Sequence, residues 1–262
     1  MAKKTDPSIT YLNKFGYNVV KLPRVGIEPM DVVGVDEAPQ WLGPLSLVWT
    51  SGVPAPEPGA PRPAAAIVGQ KTDRLELAFG LKILANALAA FGATIPSVDL
   101  AYHRARKIQF SFTNVTSAAV APLAAGNYLA GGTLNTNNPV VQHYFMGDDA
   151  EAFLIVDVLK SDSITATATD ENGVEVGVDV PSIQAAVGAK VSVKSQNSAD
   201  STLTYAGQTP VTFGFIVDRI EYNGTRWSLS GAAPSGGVAF DVRGVATAPA
   251  PILLGSGCRV KL

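Results

Sequence analysis

Between Gly173 and Gln196 the chain reads GVEVGVDVPSIQAAVGAKVSVKSQ, and so regular a period of two leaves a backbone few choices. Alternate residues of a strand point to opposite faces. Folding the segment about Gln184 and Ala185 sets Glu175 opposite Lys194, Gly177 opposite Ser192 and Asp179 opposite Lys190 on one face. The other face then pairs Val176 with Val193, Val178 with Val191 and Val180 with Ala189. One register thus yields two opposite-charge pairs and a continuous apolar face, which cross-strand packing rewards. Each arm runs roughly eleven residues, the length a tilted strand needs to cross a bilayer. In that setting Glu175, Asp179, Lys190 and Lys194 face a watery lumen, while Val176, Val178, Val191 and Val193 face lipid. The same spacing also suits an ordinary ribbon on a soluble sheet. The middle piece, PSIQAAVGA, opens with Pro181 at a good first helical position and continues with helix formers, so strand-helix-strand is a second solution for the same residues. A segment with two conformations is a switch.

The rest of the chain is consistent with one large domain dominated by strands. With 262 residues, 47% of them hydrophobic, it can bury a sizeable core. Charged residues are only 16% while there are 25 glycines and 18 prolines, a balance that favours strands and turns over a helical bundle. The single cysteine, Cys258, excludes an internal disulfide and fits a reducing cytoplasm. No secretory signal is legible in MAKKTDPSITYLNKFG.

Along the chain, Asp6, Pro7 and Gly16 frame a short helix from Pro7 to Lys14. YNVVKLPRVGIEPMDVVGV and LSLVWTSGV, Leu45 to Val53, read as strands, and PAPEPGAPRPAAA as a loop with a return strand from Ala65 to Gly69. Leu77, Leu81, Leu84, Leu88 and Phe91 form the stripe of an amphipathic helix packed on a core; Lys82 and Asn86 argue against a membrane span. In KIQFSFTNV, Ile108, Phe110 and Phe112 alternate with polar residues as in a half-buried strand. SAAVAPLAAGNYLAGG suggests a short helix with a glycine stop. Strands follow in EAFLIVDVLK, SITATAT, VEVGVDV, AKVSVKSQ, TLTYAG, VTFGFIVDRI and RWSLS. The fold class is α+β, a twisted, mainly antiparallel sheet with packed helices.

Catalytic patterns are missing: there is no GxSxG, GxxxxGK[ST] or HExxH. His103, in the basic run AYHRARK, and His143, beside Tyr144 and Phe145, read as surface or half-buried residues rather than bases, and Asp148 and Asp149 as a loop with no third ligand nearby. The reading is of a protein that is not an enzyme and holds neither cofactor nor metal. A net charge of -2 without an aromatic-basic module argues against nucleic acid. His103, Arg104, Arg106 and Lys107 suit phosphates or a solvated strand entrance, while Lys3, Lys4, Lys14, Lys21 and Arg24 favour an anionic membrane surface.

The stretch APAPILLGSGCRVKL, Ala248 to Leu262, places Ile252, Leu253 and Leu254 between prolines and a glycine. So apolar a tail must pack on the body or be meant to leave it. Upstream, FDVRGVATAPAP reads as an exposed linker in which Arg243 suits a trypsin-like protease and Asp241 a caspase-like one.

GYNVVKLPRVGIEP, Gly16 to Pro29, followed by Trp41 to Gly43, resembles the N-terminal signature of the bacterial gasdermins. The similarity runs on through KTDRLELAFGLKILANAL and ARKIQFSFTNV to LKSDSITATAT. The resemblance implies a pore-forming body over residues 1–243 and an autoinhibitory C-terminal peptide over 244–262. It also implies an activating protease, caspase-like or trypsin-like, that cuts between them. The body, a monomer in the cytoplasm at rest, then forms a homo-oligomer among membrane lipids. Its β-hairpins extend into a large transmembrane β-barrel that permeabilises the bacterial inner membrane, causing cell death in antiphage defence. Members commonly carry a palmitoylated cysteine near the N-terminus, where this chain has Ala2, Lys3 and Lys4. The competing reading is a soluble β-rich binding or structural protein with no membrane step. It accounts for the strands but not for the tail.

Overall fold

The computed structural model describes residues 17–37, 39–64, 75–93 and 98–230. Two long antiparallel strands form its spine: β10, Glu151–Thr169, of 19 residues, and β12, Thr202–Tyr222, of 21. Sequence reading cuts each of them in two at polar interruptions, yet each runs through unbroken.

Shorter strands line the outer side of each. Beside β10 lie, in turn, β2 (Asp31–Val35), β8 (Thr116–Ala119) and β7 (Lys107–Thr113). Beside β12 lie β13 (Trp227–Ser230), β1 (Asn18–Arg24) and β11 (Val191–Ser195). The edges are completed by β3 (Pro39–Pro44) on β2, β5 (Arg62–Pro63) on β8 and β6 (Leu75–Glu76) on β7. β4 (Trp49–Ser51) and β9 (Gly132–Leu134) make a separate antiparallel pair. Every pairing is antiparallel, as the α+β reading expects.

A transverse seam divides this sheet. Ser161 pairs with Val211 but Ser163 pairs with Ala206, so Gly207 to Pro210 bulge out opposite a single residue. At the same level β1 skips from Val19 to Arg24 against β12, and Asn114, at φ +52°, turns the chain between β7 and β8. Small polar side chains fill the seam. Ser161, Ser163 and Thr212 are buried; the Ser161 hydroxyl donates to the Ser163 carbonyl at 2.7 Å, and that of Thr212 to the Ile27 carbonyl at 2.9 Å.

Apolar packing respects the seam. Below it, α1 (Leu77–Ala90), α4 (Val180–Val187) and a 3-10 turn, Val98–Tyr102, cover the sheet, burying Leu81, Leu84, Leu88 and Phe91 of the expected stripe against Ile108, Phe110, Ile164, Leu203 and Tyr205. The Tyr102 and Tyr205 hydroxyls meet inside this core at 2.6 Å. Above it, α2 (Pro122–Ala130) and α3 (Pro139–Met146) pack on one face with Trp49, Tyr128 and Leu154. Phe153, Ile155, Phe215 and Val217 form a cluster of their own.

Two expectations need correction. Leu45 to Val53 is not one strand: Leu45–Leu47 is a 3-10 turn and only Trp49–Ser51 is extended. The buried residues there, Leu45 and Trp49, stand four apart, the spacing of a helical turn. Gly173 to Asp179 forms no named strand, for reasons given below. The expected helix from Pro7 to Lys14 and return strand from Ala65 to Gly69 lie outside the described residues.

Near the seam, the Tyr17 hydroxyl donates to Asp157 at 2.6 Å and that of Ser117 at 2.9 Å. Burial nonetheless pushes the Asp157 carboxyl above the ordinary carboxylate range. A carboxyl that holds its proton more tightly when folded adds stability at low pH, and this is lost as pH rises from the unfolded pKa through the folded one. Asp157→Asn should therefore flatten the fall in unfolding free energy with pH across that window. Denaturant midpoints read this directly, and an unchanged slope excludes Asp157 as its source.

Candidate membrane-insertion segment

The segment that leaves β10 is folded back on itself. After Thr169, Asp170 accepts the backbone N–H groups of Asn172 at 2.9 Å and Val174 at 2.8 Å, and its own N–H donates to the Val174 carbonyl at 2.8 Å. Gly173 closes this turn at φ +82°, a left-handed conformation that favours glycine. Glu175 then forms a lone bridge with Thr169, and the Val176 N–H donates to the Ala168 carbonyl.

Asp179 ends this stretch as the N-cap of α4, accepting from the Ser182 N–H at 3.1 Å and the Ser182 hydroxyl at 2.7 Å. Those bonds hold its carboxyl below the ordinary range. Pro181 occupies the first turn, and the helix ends at Gly188, φ +75°. α4 buries Ile183 and Val187 in the lower core. Its Gln184 amide accepts from the Val193 N–H at 3.2 Å and donates to the Val191 carbonyl at 3.3 Å, covering an edge of β11.

The two arms do not pair with each other; β11 pairs instead with β12, Val193 opposite Tyr205. The strand-helix-strand solution is present in its helix and second strand. The division of faces is also present: Val178 and Val191 are buried in the lower core and Val176 and Val193 pack against it, whereas Glu175, Asp179, Lys190 and Lys194 are exposed. Sequence reading missed the turn residues Asp170 and Gly173 and the partners Asn197 and Ser201. The run DENG, a turn signal, was the available clue.

Elsewhere, His103 meets the Leu100 carbonyl at 2.9 Å and His143 the Asp36 carboxylate at 3.0 Å. Arg106 lies 4.0 Å from Glu171, and Lys107 donates to the Glu171 carbonyl. No group of three potential metal ligands occurs among the described residues. No helix among them is long and apolar enough to cross a membrane, which leaves strands untouched. Asp241, Arg243, Ile252, Leu253 and Leu254 lie outside the described residues.

Three comparisons place these features. Residues 20–232 match the Bacterial Gasdermin Family. A gasdermin from Vitiosangium sp. (strain GDMCC 1.1324) is 40% identical over 215 residues, covering 80% of this chain and 79% of its own. Another from Lysobacter enzymogenes is 31% identical over 237 residues, 89% of this chain and 87% of its own. The solved structure of a bacterial gasdermin from Bradyrhizobium tropiciagri shares the fold, with a TM-score of 0.58 at 16% identity over 87% of this chain and 91% of that one. The chain belongs to the bacterial gasdermin family, whose members are pore-forming proteins.

Proposed function

We propose that this chain is an autoinhibited pore-forming protein, in which proteolytic removal of the peptide 244–262 frees the body to oligomerise and to permeabilise the bacterial inner membrane, killing the cell in antiphage defence. A caspase-like or trypsin-like protease makes the cut at Asp241 or Arg243. In the membrane, Val176, Val178, Val191 and Val193 face lipid, and Glu175, Asp179, Lys190 and Lys194 line the lumen.

The observation that carries this reading is a register. In the resting spine Ile164 lies opposite Tyr205, Thr165 opposite Thr204 and Thr167 opposite Thr202. Counting on one for one along both chains brings Glu175 opposite Lys194, Val178 opposite Val191 and Asp179 opposite Lys190. The hairpin read from sequence charge and polarity is therefore the continuation of a ladder already formed, with no slip. A slip of one residue turns every side chain to the wrong face, so agreement between two independent registers supports the extension. The apolar face from Val174 to Val180, with Ala189 to Val193 opposite Val176 to Val180, spans about 20 Å at 3.3 Å per residue, approaching the lipid-facing band of membrane barrels.

Liposome leakage tests the proposal. The full chain should be silent and the chain ending at Arg243 should release dye. Ile252, Leu253 and Leu254, if buried on the body, each stabilise the resting form by about 1.5 to 3 kcal/mol before the cost of ordering the tail. Leu253→Asp in the full chain should then leak without any cut. Silence from both the truncated chain and Leu253→Asp excludes the tail as an inhibitor.

A further inference from the structure

Two reverse turns fold the segment back, one on each arm, and a single carboxylate joins them. The first is Asp170 to Gly173. The second, Asn197 to Asp200, returns the chain from β11 to β12: the Asp200 N–H donates to the Asn197 carbonyl at 3.2 Å, Asp200 sits at φ +50°, and the Gln196 N–H donates to the Thr202 carbonyl at 2.8 Å. Glu175, just past the first turn, accepts from the Asn197 amide at 3.1 Å and from the buried Ser201 hydroxyl at 2.6 Å. Asn197 also donates to the Ser201 hydroxyl at 2.7 Å and accepts the Ser201 N–H at 3.0 Å. Contact continues beyond the carboxylate. A Cβ on Gly177 would stand 2.6 Å from the Ala199 carbonyl oxygen, and the Val178 N–H donates to the Asp200 carbonyl at 3.1 Å.

We infer that Glu175 is a latch: through Asn197 and Ser201 it makes the two turns open together or not at all, and so sets the rate at which the segment is released. This rests on the hairpin reading above. For the arms to continue the spine ladder, Gly173 and Asp200 must both leave their left-handed conformations, and opening one turn alone leaves the other holding the segment. In the extended ladder Asn197 falls opposite Asn172, and Glu175 has moved to Lys194. The carboxylate thus exchanges one set of partners for another, and its bonds to Asn197 and Ser201 belong to the resting form alone. Hydrogen bonds to a charged group are the stronger kind, which suits one side chain to this task.

Amide hydrogen exchange on the full chain tests the coupling without a membrane. Glu175→Ala and Ser201→Ala should each speed exchange at both turns by about tenfold, the size expected for losing a hydrogen bond to a charged group. The double variant should fall well short of the product of the two single effects, and Glu175→Gln, whose amide oxygen still accepts both bonds but without the charge, should lie between Glu175→Ala and the parent. Amides of Val32 to Val35 and Phe153 to Ile155 should be unchanged, which separates local release from global unfolding. Acceleration at one turn only, or effects that multiply in the double variant, overturns the latch.

Its role in release is read from the full chain carrying one site-specific protease sequence after Arg243, cut beside vesicles of phosphatidylethanolamine and phosphatidylglycerol. The lag before leakage should shorten more in Glu175→Ala than in Glu175→Gln. An unchanged lag, with the parent leaking normally, overturns the latch as the controlling step and leaves the pore reading standing. No leakage from the cut parent removes the pore reading itself, and the inference with it.

Discussion

Ala189→Arg should reduce leakage by the activated chain while leaving the resting fold intact. Ala189 is exposed at rest, between the end of α4 and β11, so an arginine there meets water. In the extended hairpin it lies opposite Val180 on the lipid face, at the tip end of the apolar band. An arginine on the lipid face costs a membrane strand about 2 to 4 kcal/mol at the midplane and less toward the interface, and a ring of protomers multiplies that cost. Ser192→Arg is the matched control: Ser192 is also exposed at rest but lies opposite Gly177 on the lumen side. It should leak like the parent. Val178→Arg is a harsher form of the same test, because Val178 lies near the middle of the band and should abolish leakage; it is also buried at rest, so its folding must be checked. Equal leakage from Ala189→Arg and Ser192→Arg, with both folded, would show that the two faces are not distinguished by lipid.

Ile183→Ala should act in the opposite direction. Ile183 is 0% exposed and is a principal anchor of α4 on the lower core. Cutting a fully buried isoleucine back to alanine typically costs about 2 to 5 kcal/mol. In the extended hairpin Ile183 falls near the tip on the lumen side, where little apolar contact is lost. The whole penalty therefore falls on the resting state. Exchange over residues 180–195 should rise, and leakage after the tail is cut should begin sooner than in the parent. A slower onset would place Ile183 among the contacts the pore needs and reverse its assignment.

What sequence could reveal here depended on whether local pattern and tertiary contact agreed. The helix of Leu81, Leu84 and Leu88 and the strand of Ile108 and Phe110 were legible because each presents one apolar face to one core. At Leu45 to Val53 the composition is that of a strand, but Leu45 and Trp49, four apart, are both buried in the upper core, a helical spacing that alternation does not reveal. α3 went unread although Asn138 caps it, accepting from the Val140 N–H at 2.9 Å, and Pro139 opens it; eight residues between loops give periodicity little to act on. The hairpin is the instructive case. Its alternation was legible because it is a property of the side chains, whereas its resting form depends on two turns and on the Glu175 contacts with Asn197 and Ser201 across the fold.

The seam bears on what happens after an unsuccessful excursion. Bulges at Ser161 to Ser163 and Gly207 to Pro210 pin β10 against β12 above the part of the chain proposed to move. The upper clusters do not draw on α4 or β11, so their packing persists when those elements leave. A hairpin that opens and meets no bilayer thus hangs from two strands whose alignment has never been lost. Its return needs no search among alternative pairings. On the proposed reading the spine serves as a bookmark for the segment, which would keep release reversible until neighbours or lipid capture it.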